Sequence, residues 1–149
     1  RLLMEGKAEP VRTMVARVKA AAGARPLKAI LETGVLGEEG LIRQAAELAV
    51  AGGADFLKTS TGKVAVNATP RAVRILLEVI RDAGRPVGLK PSGGVRSLAD
   101  AAGYLGLADE IMGEGWAGPQ TFRIGASGLL DVLVAALSGG EAPRPSEGY

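Results

Sequence analysis

Lysine side chains and glycine-rich turns carry the chemistry open to this chain, because its 149 residues include no histidine and no cysteine. That composition excludes a Ser-His-Asp triad, a thiolate nucleophile and the commonest metal ligands. Four of the six lysines lie in or just past short apolar runs typical of buried strands: Lys28, Lys58, Lys63 and Lys90. A deprotonated lysine amine can attack a carbonyl carbon and form a Schiff base, which arginine cannot do.

Two of these lysines, Lys58 and Lys90, end apolar segments, where an unpaired cation is costly to bury. One interpretation is that each pairs with a carboxylate at the edge of the sheet. The other is that one is a Schiff-base amine and the second is an ammonium group beside it, whose like charge disfavours protonation of the first. Lowering the pKa of a lysine to about 7 takes about 4–5 kcal/mol, which burial and one neighbouring cation can supply.

Glycines also follow the short apolar runs, at three places: Gly62-Lys63, Gly93-Gly94 and Ser127-Gly128. Their backbone N–H groups could bind a phosphate, and Ser127 opens a predicted helix whose N-terminus favours an anion. Each motif is also typical of an ordinary tight turn between a strand and a helix. The three motifs beside the lysines predict a site for a phosphorylated carbonyl compound.

Apolar strands that alternate with amphipathic helices predict the α/β fold that positions these residues. A leading helix over 8–22 ends at Gly23, and Thr69 with Pro70 marks the start of another. The predicted strands occupy 27–31, 54–59, 86–90 and 121–125, and the later helices occupy 38–51, 70–84, 97–111 and 127–137. Strands spaced by about 30 residues are typical of βαβ units and of a parallel sheet. Two architectures fit, an open doubly wound sheet and part of a (βα)8 barrel, and both place sites at the carboxyl ends of their strands.

The length and charge of the chain limit its partners. We expect one domain over 1–137 and a flexible tail over 138–149, where glycine, proline, serine and glutamate predominate. A net charge of +2, with no basic run longer than two residues, argues against a nucleic-acid partner. No apolar run approaches the ~18 residues of a membrane span, so we expect no membrane partner. The start of the chain, RLLMEGKAEP, is short and polar and shows no signal peptide, so we expect a cytoplasmic location.

The run KTSTGKVAVNAT over 58–69 is similar to the active-site segment of the deoxyribose-phosphate aldolase family. The similarity continues in order along the chain, with LKAILETGVL over 27–36, GLKPSGGVR over 88–96, ADE over 108–110 and FRIGAS over 122–127. By resemblance, the chain is identified as a member of this family. The resemblance implies a class I aldolase that cleaves 2-deoxy-D-ribose 5-phosphate to acetaldehyde and D-glyceraldehyde 3-phosphate through a lysine Schiff base, with no metal and no cofactor.

The same resemblance implies roles for individual residues. Lys58 matches the Schiff-base lysine, and Lys90 matches the second lysine that keeps it nucleophilic and assists proton transfer. Lys28 matches a further polar residue of the family's site, and Tyr149 matches the terminal tyrosine linked to protonation of the enamine carbon. The implied phosphate-binding residues are Gly62, Lys63, Gly93, Gly94, Ser127 and Gly128. The family commonly has serine at the position of Gly128, so this chain lacks a hydroxyl group there and keeps the backbone N–H.

The resemblance covers only the C-terminal part of the family's chain, about 60% of a barrel of about 250 residues. It implies the C-terminal half of a (βα)8 TIM barrel, with one leading helix and four parallel strands, and without the strand that carries the family's catalytic aspartate. An open half-barrel exposes two strand edges and an apolar inner face. We therefore expect a fragment whose partner is a complementing N-terminal half-barrel or, as a homo-oligomer, a second copy. The alternative is a non-catalytic remnant or self-associating half-barrel that keeps the lysines without turnover.

Overall fold

Parallel strands form the centre of the fold in the computed structural model, which describes residues 2–126 and 128–139. Within those residues the sheet has three strands, in the order β1 (Lys28–Ile30), β2 (Phe56–Lys58) and β3 (Gly88–Lys90). Both neighbouring pairs are parallel. The predicted α/β class and the parallel pairing of these strands are confirmed.

Six helices accompany the sheet in the described part of the chain: α1 (Ala8–Ala22), α2 (Thr33–Leu36), α3 (Glu39–Ala51), α4 (Pro70–Arg81), α5 (Leu98–Met112) and α6 (Leu129–Leu137). A 3-10 turn over Leu3–Glu5 precedes α1. The predicted helices are confirmed, with ends that differ by a few residues, whereas the short α2 has no counterpart in the sequence patterns. The predicted start of the last helix, Ser127, lies outside the described residues.

Local sequence explains where the central helix, α4, begins. The Thr69 hydroxyl group accepts a hydrogen bond from the N–H of Ala72 at 3.1 Å, and Pro70 occupies the first helical position, where no N–H is needed. The helix buries seven of its side chains, which are Ala72, Val73, Ile75, Leu76, Leu77, Val79 and Ile80. Both α3 and α5 pack against it.

The apolar core lies between these helices and one face of the sheet. Leu57 of β2, Leu89 of β3 and Leu76 of α4 are fully buried members of one cluster. Complete burial of such a side chain stabilises the fold by about 1.5–3 kcal/mol. Alternate residues of a strand point to opposite faces, so the neighbours of Leu57 and Leu89 point away from this core.

The sequence predicts a fourth strand over 121–125, and this prediction is wrong for the described residues. The segment forms two isolated parallel bridges, Leu89 with Phe122 and Ser92 with Gly125. Both bridges have the same register, so the segment does run alongside β3. A continuous ladder between them needs an N–H at position 91, and Pro91 has none. The interruption therefore originates in a residue that follows the neighbouring strand.

Two other expectations concern the C-terminal tail and the membrane. The predicted tail over 138–149 lies outside the described residues except for positions 138 and 139. In the ranges 2–126 and 128–139, no helix is both long enough and apolar enough to cross a membrane.

Candidate active site

Three lysines lie on the same face of the sheet. Lys58 of β2 is directly opposite Lys90 of β3, and Lys28 of β1 is directly opposite Phe56. Opposite residues in a parallel pair point to the same face, as do residues two apart on one strand. The three lysines and Phe56 therefore share the face that points away from the buried leucines, which we call the lysine face.

The lysine face concentrates positive charge. Among residues 2–126 and 128–139, none of its three ammonium groups forms an ion pair with a carboxylate. Burial lowers the pKa of Lys90, and the charges of Lys28, Lys58 and Arg123 lower it further. Burial also lowers the pKa of Lys28, with Arg123 and Lys58 adding to the effect. Within the described residues, the interpretation of lysines paired with carboxylates therefore has no ion pair to support it, and like charges lie side by side instead.

An aromatic ring and an arginine, neither indicated by the sequence patterns, belong to the same face. The Phe56 ring lies against the backbone of Gly88, where a Cβ atom would be 2.3 Å from the ring. The Cζ of Arg123 lies 4.5 Å from the ring centroid and the Nζ of Lys28 lies 5.8 Å from it, both within range of a cation–π contact. Arg123 also donates a hydrogen bond from Nε to the carbonyl of Pro119 at 3.2 Å. A glycine inside a buried strand, Gly88, is the sequence signal for such a close approach.

Glycines predicted to bind phosphate lie in the loops that follow β2 and β3, and the two loops touch. Gly62, Gly93 and Gly94 have φ angles of +92°, +83° and +80°, which glycine adopts readily and other residues rarely do. A Cβ atom on Gly93 would be 2.6 Å from the Asn67 side chain, so this glycine allows the loops to meet. Gly128 is exposed directly before α6.

Two of the predicted phosphate donors already have acceptors. The N–H of Gly93 donates to the carbonyl of Gly125 at 3.2 Å, and the N–H of Lys63 donates to the Thr61 hydroxyl group at 3.2 Å. Gly93 therefore continues the pairing between β3 and the 121–125 segment, and its N–H is engaged there. Two further predicted residues, Ser127 and Tyr149, lie outside the described residues.

Hydrogen bonds attach the loop after β2 to both neighbouring strands. The N–H of Thr61 donates at 3.0 Å to the carboxylate of Glu32, which lies two residues after the end of β1. Glu32 has a φ of +54°, a left-handed conformation that is uncommon outside glycine. On the other side, the buried Thr59 hydroxyl group accepts a hydrogen bond from the N–H of Ser92 at 2.9 Å. The loop is therefore held beside the lysines from both directions.

The groups that these loops and strands gather are amines, hydroxyl groups and backbone N–H groups. Such groups can bind an anion and attack a carbonyl carbon. No group of three or more aspartate, glutamate, histidine or cysteine side chains that could hold a metal ion occurs within the described ranges.

Known proteins resemble this chain in sequence. A family model described as DeoC/LacD family aldolase matches residues 2–129. A deoxyribose-phosphate aldolase of Agrobacterium fabrum is 53% identical over 150 residues, a match that covers 100% of this chain and 58% of that protein. The chain therefore spans less than two thirds of the length of this relative.

Solved structures also resemble this chain in fold. A Toxoplasma gondii protein provisionally described as a deoxyribose-phosphate aldolase matches with a TM-score of 0.80 and 29% identity, over 93% of this chain and 56% of that one. A Coccidioides immitis protein with the same provisional description matches with a TM-score of 0.78 and 26% identity, over 91% of this chain and 49% of that one. A deoxyribose phosphate aldolase from Aeropyrum pernix, described as tetrameric, matches with a TM-score of 0.62 and 28% identity, over 90% and 50%.

Proposed function

The chain belongs to the DeoC/LacD family of aldolases, and on that premise we propose that it carries the Schiff-base half of a deoxyribose-phosphate aldolase. The proposed reaction is the reversible cleavage of 2-deoxy-D-ribose 5-phosphate to D-glyceraldehyde 3-phosphate and acetaldehyde. The observation that carries this proposal is the position of Lys58 directly opposite Lys90 on adjacent parallel strands. The name of the 53% identical relative supports the choice of substrate.

We take the lysine face to be part of the interior of a (βα)8 barrel. In such barrels the helices cover the outer face of the strands, and catalytic residues come from the ends of several strands. Two features support this assignment: the apolar core covers the opposite face of β2 and β3, and the similar Toxoplasma and Coccidioides chains are about twice as long as the matched region. The 121–125 segment then occupies the place of the fourth strand in a C-terminal half-barrel.

Lys58 begins the proposed reaction as a neutral amine. Its Nζ attacks C1 of the open-chain sugar phosphate, and loss of water leaves an iminium ion. The iminium accepts the electron pair of the C2–C3 bond while the C3 hydroxyl group gives up its proton, so glyceraldehyde 3-phosphate leaves and an enamine remains. Addition of a proton to C2 and of water to C1 then releases acetaldehyde and restores the amine.

Lys90 is proposed to keep Lys58 nucleophilic and to exchange protons with the reacting groups. Burial, with the charges of Lys28, Lys58 and Arg123, lowers the pKa of Lys90, which brings its proton exchange closer to neutral pH. Lys28 supplies a further cation on the same face. Tyr149 is proposed to deliver the proton to C2 of the enamine.

The substrate phosphate is proposed to bind at the ends of the strands and at the start of α6. The residues assigned to it are Gly62, Lys63, Gly93, Gly94, Ser127 and Gly128, and Gly93 also shapes the loop. A complementing N-terminal half-barrel, or a second copy of the chain, is proposed to supply the rest of the site, including the family's catalytic aspartate. A cytoplasmic location is part of the proposal.

The test is release of glyceraldehyde 3-phosphate from 2-deoxyribose 5-phosphate, measured in a coupled assay. The chain is assayed alone and after mixing with the separately produced remainder of the Agrobacterium relative. We expect turnover in the mixture, little turnover by the chain alone, and none with Lys58→Arg, which keeps the charge but cannot form the Schiff base. A mixture that forms a complex and still releases no product favours the non-catalytic remnant. Full activity of the chain alone contradicts the need for a complementing half.

A further inference from the structure

A side chain closes the end of the ladder between β2 and β3. In a regular parallel ladder, the bond after Lys90 would join the N–H of Ser92 to the carbonyl of Thr59. That carbonyl instead accepts the N–H of Thr33 at 2.9 Å. The N–H of Ser92 donates to the hydroxyl oxygen of Thr59 at 2.9 Å, and this hydroxyl group donates to the carbonyl of Ser92 at 3.2 Å. One hydroxyl group therefore binds both backbone groups of Ser92.

This hydroxyl group lies immediately beyond the paired lysines. Thr59 follows Lys58 directly, and only Pro91 separates Ser92 from Lys90. The backbone bond at this level, from the N–H of Thr59 to the carbonyl of Lys90, is long at 3.3 Å. Thr59 is fully buried and Ser92 nearly so, so water cannot readily replace a lost partner.

Ser92 is also confined on its other side. The N–H of Gly125 donates to the carbonyl of Pro91 at 2.8 Å. A Cβ atom on Gly125 would be 2.3 Å from the Oγ of Ser92 and 2.9 Å from the Cε of Lys90. The Lys90 side chain therefore passes the same glycine against which Ser92 packs, so both side chains are confined by one stretch of backbone.

We propose that Thr59 is a positioning residue that holds Lys90 beside Lys58 through its two hydrogen bonds to Ser92. The inference rests on the proposed function, in which Lys58 is the reacting amine. The charged groups that face Lys90 are Lys28 from β1, Lys58 from β2 and Arg123 from the 121–125 segment. When the end of β3 loosens, Lys90 moves away from these cations and becomes more hydrated, so its pKa rises toward the ordinary value of 10.5.

Three variants separate this role from general loosening of the fold. Thr59→Val keeps the side-chain shape and removes the hydroxyl group, whereas Thr59→Ser keeps the hydroxyl group. Tyr104→Phe is the matched control, because the Tyr104 hydroxyl group donates to the carbonyl of Ala68 at 3.0 Å from α5, outside the lysine face. Two quantities are measured in each: the rate at which borohydride traps acetaldehyde on Lys58 across a pH series, and the titration of the Lys90 Cε by NMR.

Thr59→Val is expected to slow trapping by about tenfold or more, since small displacements of reacting groups are costly. It is also expected to raise the pKa of Lys90, while Thr59→Ser and Tyr104→Phe keep the values of the unsubstituted chain. Thr59→Val with unchanged trapping and unchanged Lys90 titration overturns the inference, as does an equal loss in Thr59→Ser.

The outcomes also distinguish this inference from the proposed function. If the unsubstituted chain traps no acetaldehyde on Lys58 at any pH, the proposed function fails, and the Lys90 titration still decides whether Thr59 positions that amine. If Thr59→Val does not fold, hydrogen exchange of the Ser92 amide in the unsubstituted chain decides whether Thr59 closes the ladder. Exchange as slow as that of Leu89 supports the closed ladder, and exchange as fast as that of an exposed loop amide overturns it.

Discussion

Gly88→Ala tests the close packing of Phe56 on the lysine face. The two residues lie opposite each other on β3 and β2. A Cβ atom at position 88 would be 2.3 Å from the Cε1 of Phe56 and 2.6 Å from both Cδ1 and Cζ. Carbon atoms prefer separations of about 3.5–4.0 Å, so the ring has to move by about 1 Å or more. The ring is 5% exposed and carries the Arg123 guanidinium group, so it has little room in which to move.

The expected cost follows from these contacts. Overpacking of this kind costs about 1–3 kcal/mol, and a displaced ring loses about 0.5–1 kcal/mol of cation–π attraction to Arg123. We therefore expect the free energy of unfolding to fall by about 1.5–4 kcal/mol, which corresponds to a Tm roughly 3–16 °C lower for a chain of this size. Urea unfolding followed by circular dichroism measures the change, with an unchanged m value showing that only stability has altered.

The same substitution elsewhere is the control. Gly106 lies within α5, and a Cβ atom there would have no described atom within 4 Å beyond its own helix neighbourhood. Gly106→Ala is expected to raise the free energy of unfolding by about 0.5–1 kcal/mol, because alanine restricts the unfolded chain and favours a helix. Phe56→Leu combined with Gly88→Ala should recover part of the loss. The reasoning is refuted if Gly88→Ala is as stable as the unsubstituted chain. It is also refuted if Gly88→Ala lowers the free energy of unfolding by the same amount in the Phe56→Leu background.

Three further predictions concern stability. Thr69→Ala removes the cap of α4 and should lower the free energy of unfolding by about 1 kcal/mol in urea titrations. Leu76→Ala should lower it by about 2–5 kcal/mol, because Leu76 is fully buried at the centre of the core; a loss below 1 kcal/mol contradicts that placement. The pKa of Lys90 is lowered in the folded state, so the unfolded chain binds this proton more tightly. The free energy of unfolding should therefore rise as the pH increases from that lowered pKa to about 10.5, and Lys90→Met should flatten the rise in unfolding curves collected across this window.

Helices are the part of the fold that local sequence determines most directly. Thr69 and Pro70 mark the start of α4 because a cap acts on backbone groups only a few residues away. The prediction of a fourth strand is wrong for the opposite reason, because a residue far away in the chain decides the outcome. The segment 121–125 has the composition of a strand, but its ladder is interrupted by the missing N–H of Pro91, about 30 residues earlier in the chain. A pattern read within one segment does not contain that information.

The candidate site likewise has features that the local sequence predicts and features that only tertiary packing determines. Spacing along the chain predicts Lys58 and Lys90 at adjacent strand ends, and the register places them directly opposite each other. The roles of Phe56 and Arg123 depend on which residue lies opposite Gly88 and on where the 121–125 segment passes, both of which are set by tertiary packing. The use of the Gly93 N–H within the sheet depends on that same packing, so a glycine turn alone could not show that this donor is engaged.

Reductive trapping tests the central claim, that Lys58 is a competent Schiff-base amine. The chain is incubated with acetaldehyde and borohydride near neutral pH, and the adduct is located by mass spectrometry of its peptides. We expect a reduced two-carbon adduct on Lys58 that is absent from Lys58→Arg. Absence of any adduct on Lys58, or equal labelling of Lys58 and exposed lysines such as Lys7, contradicts the account.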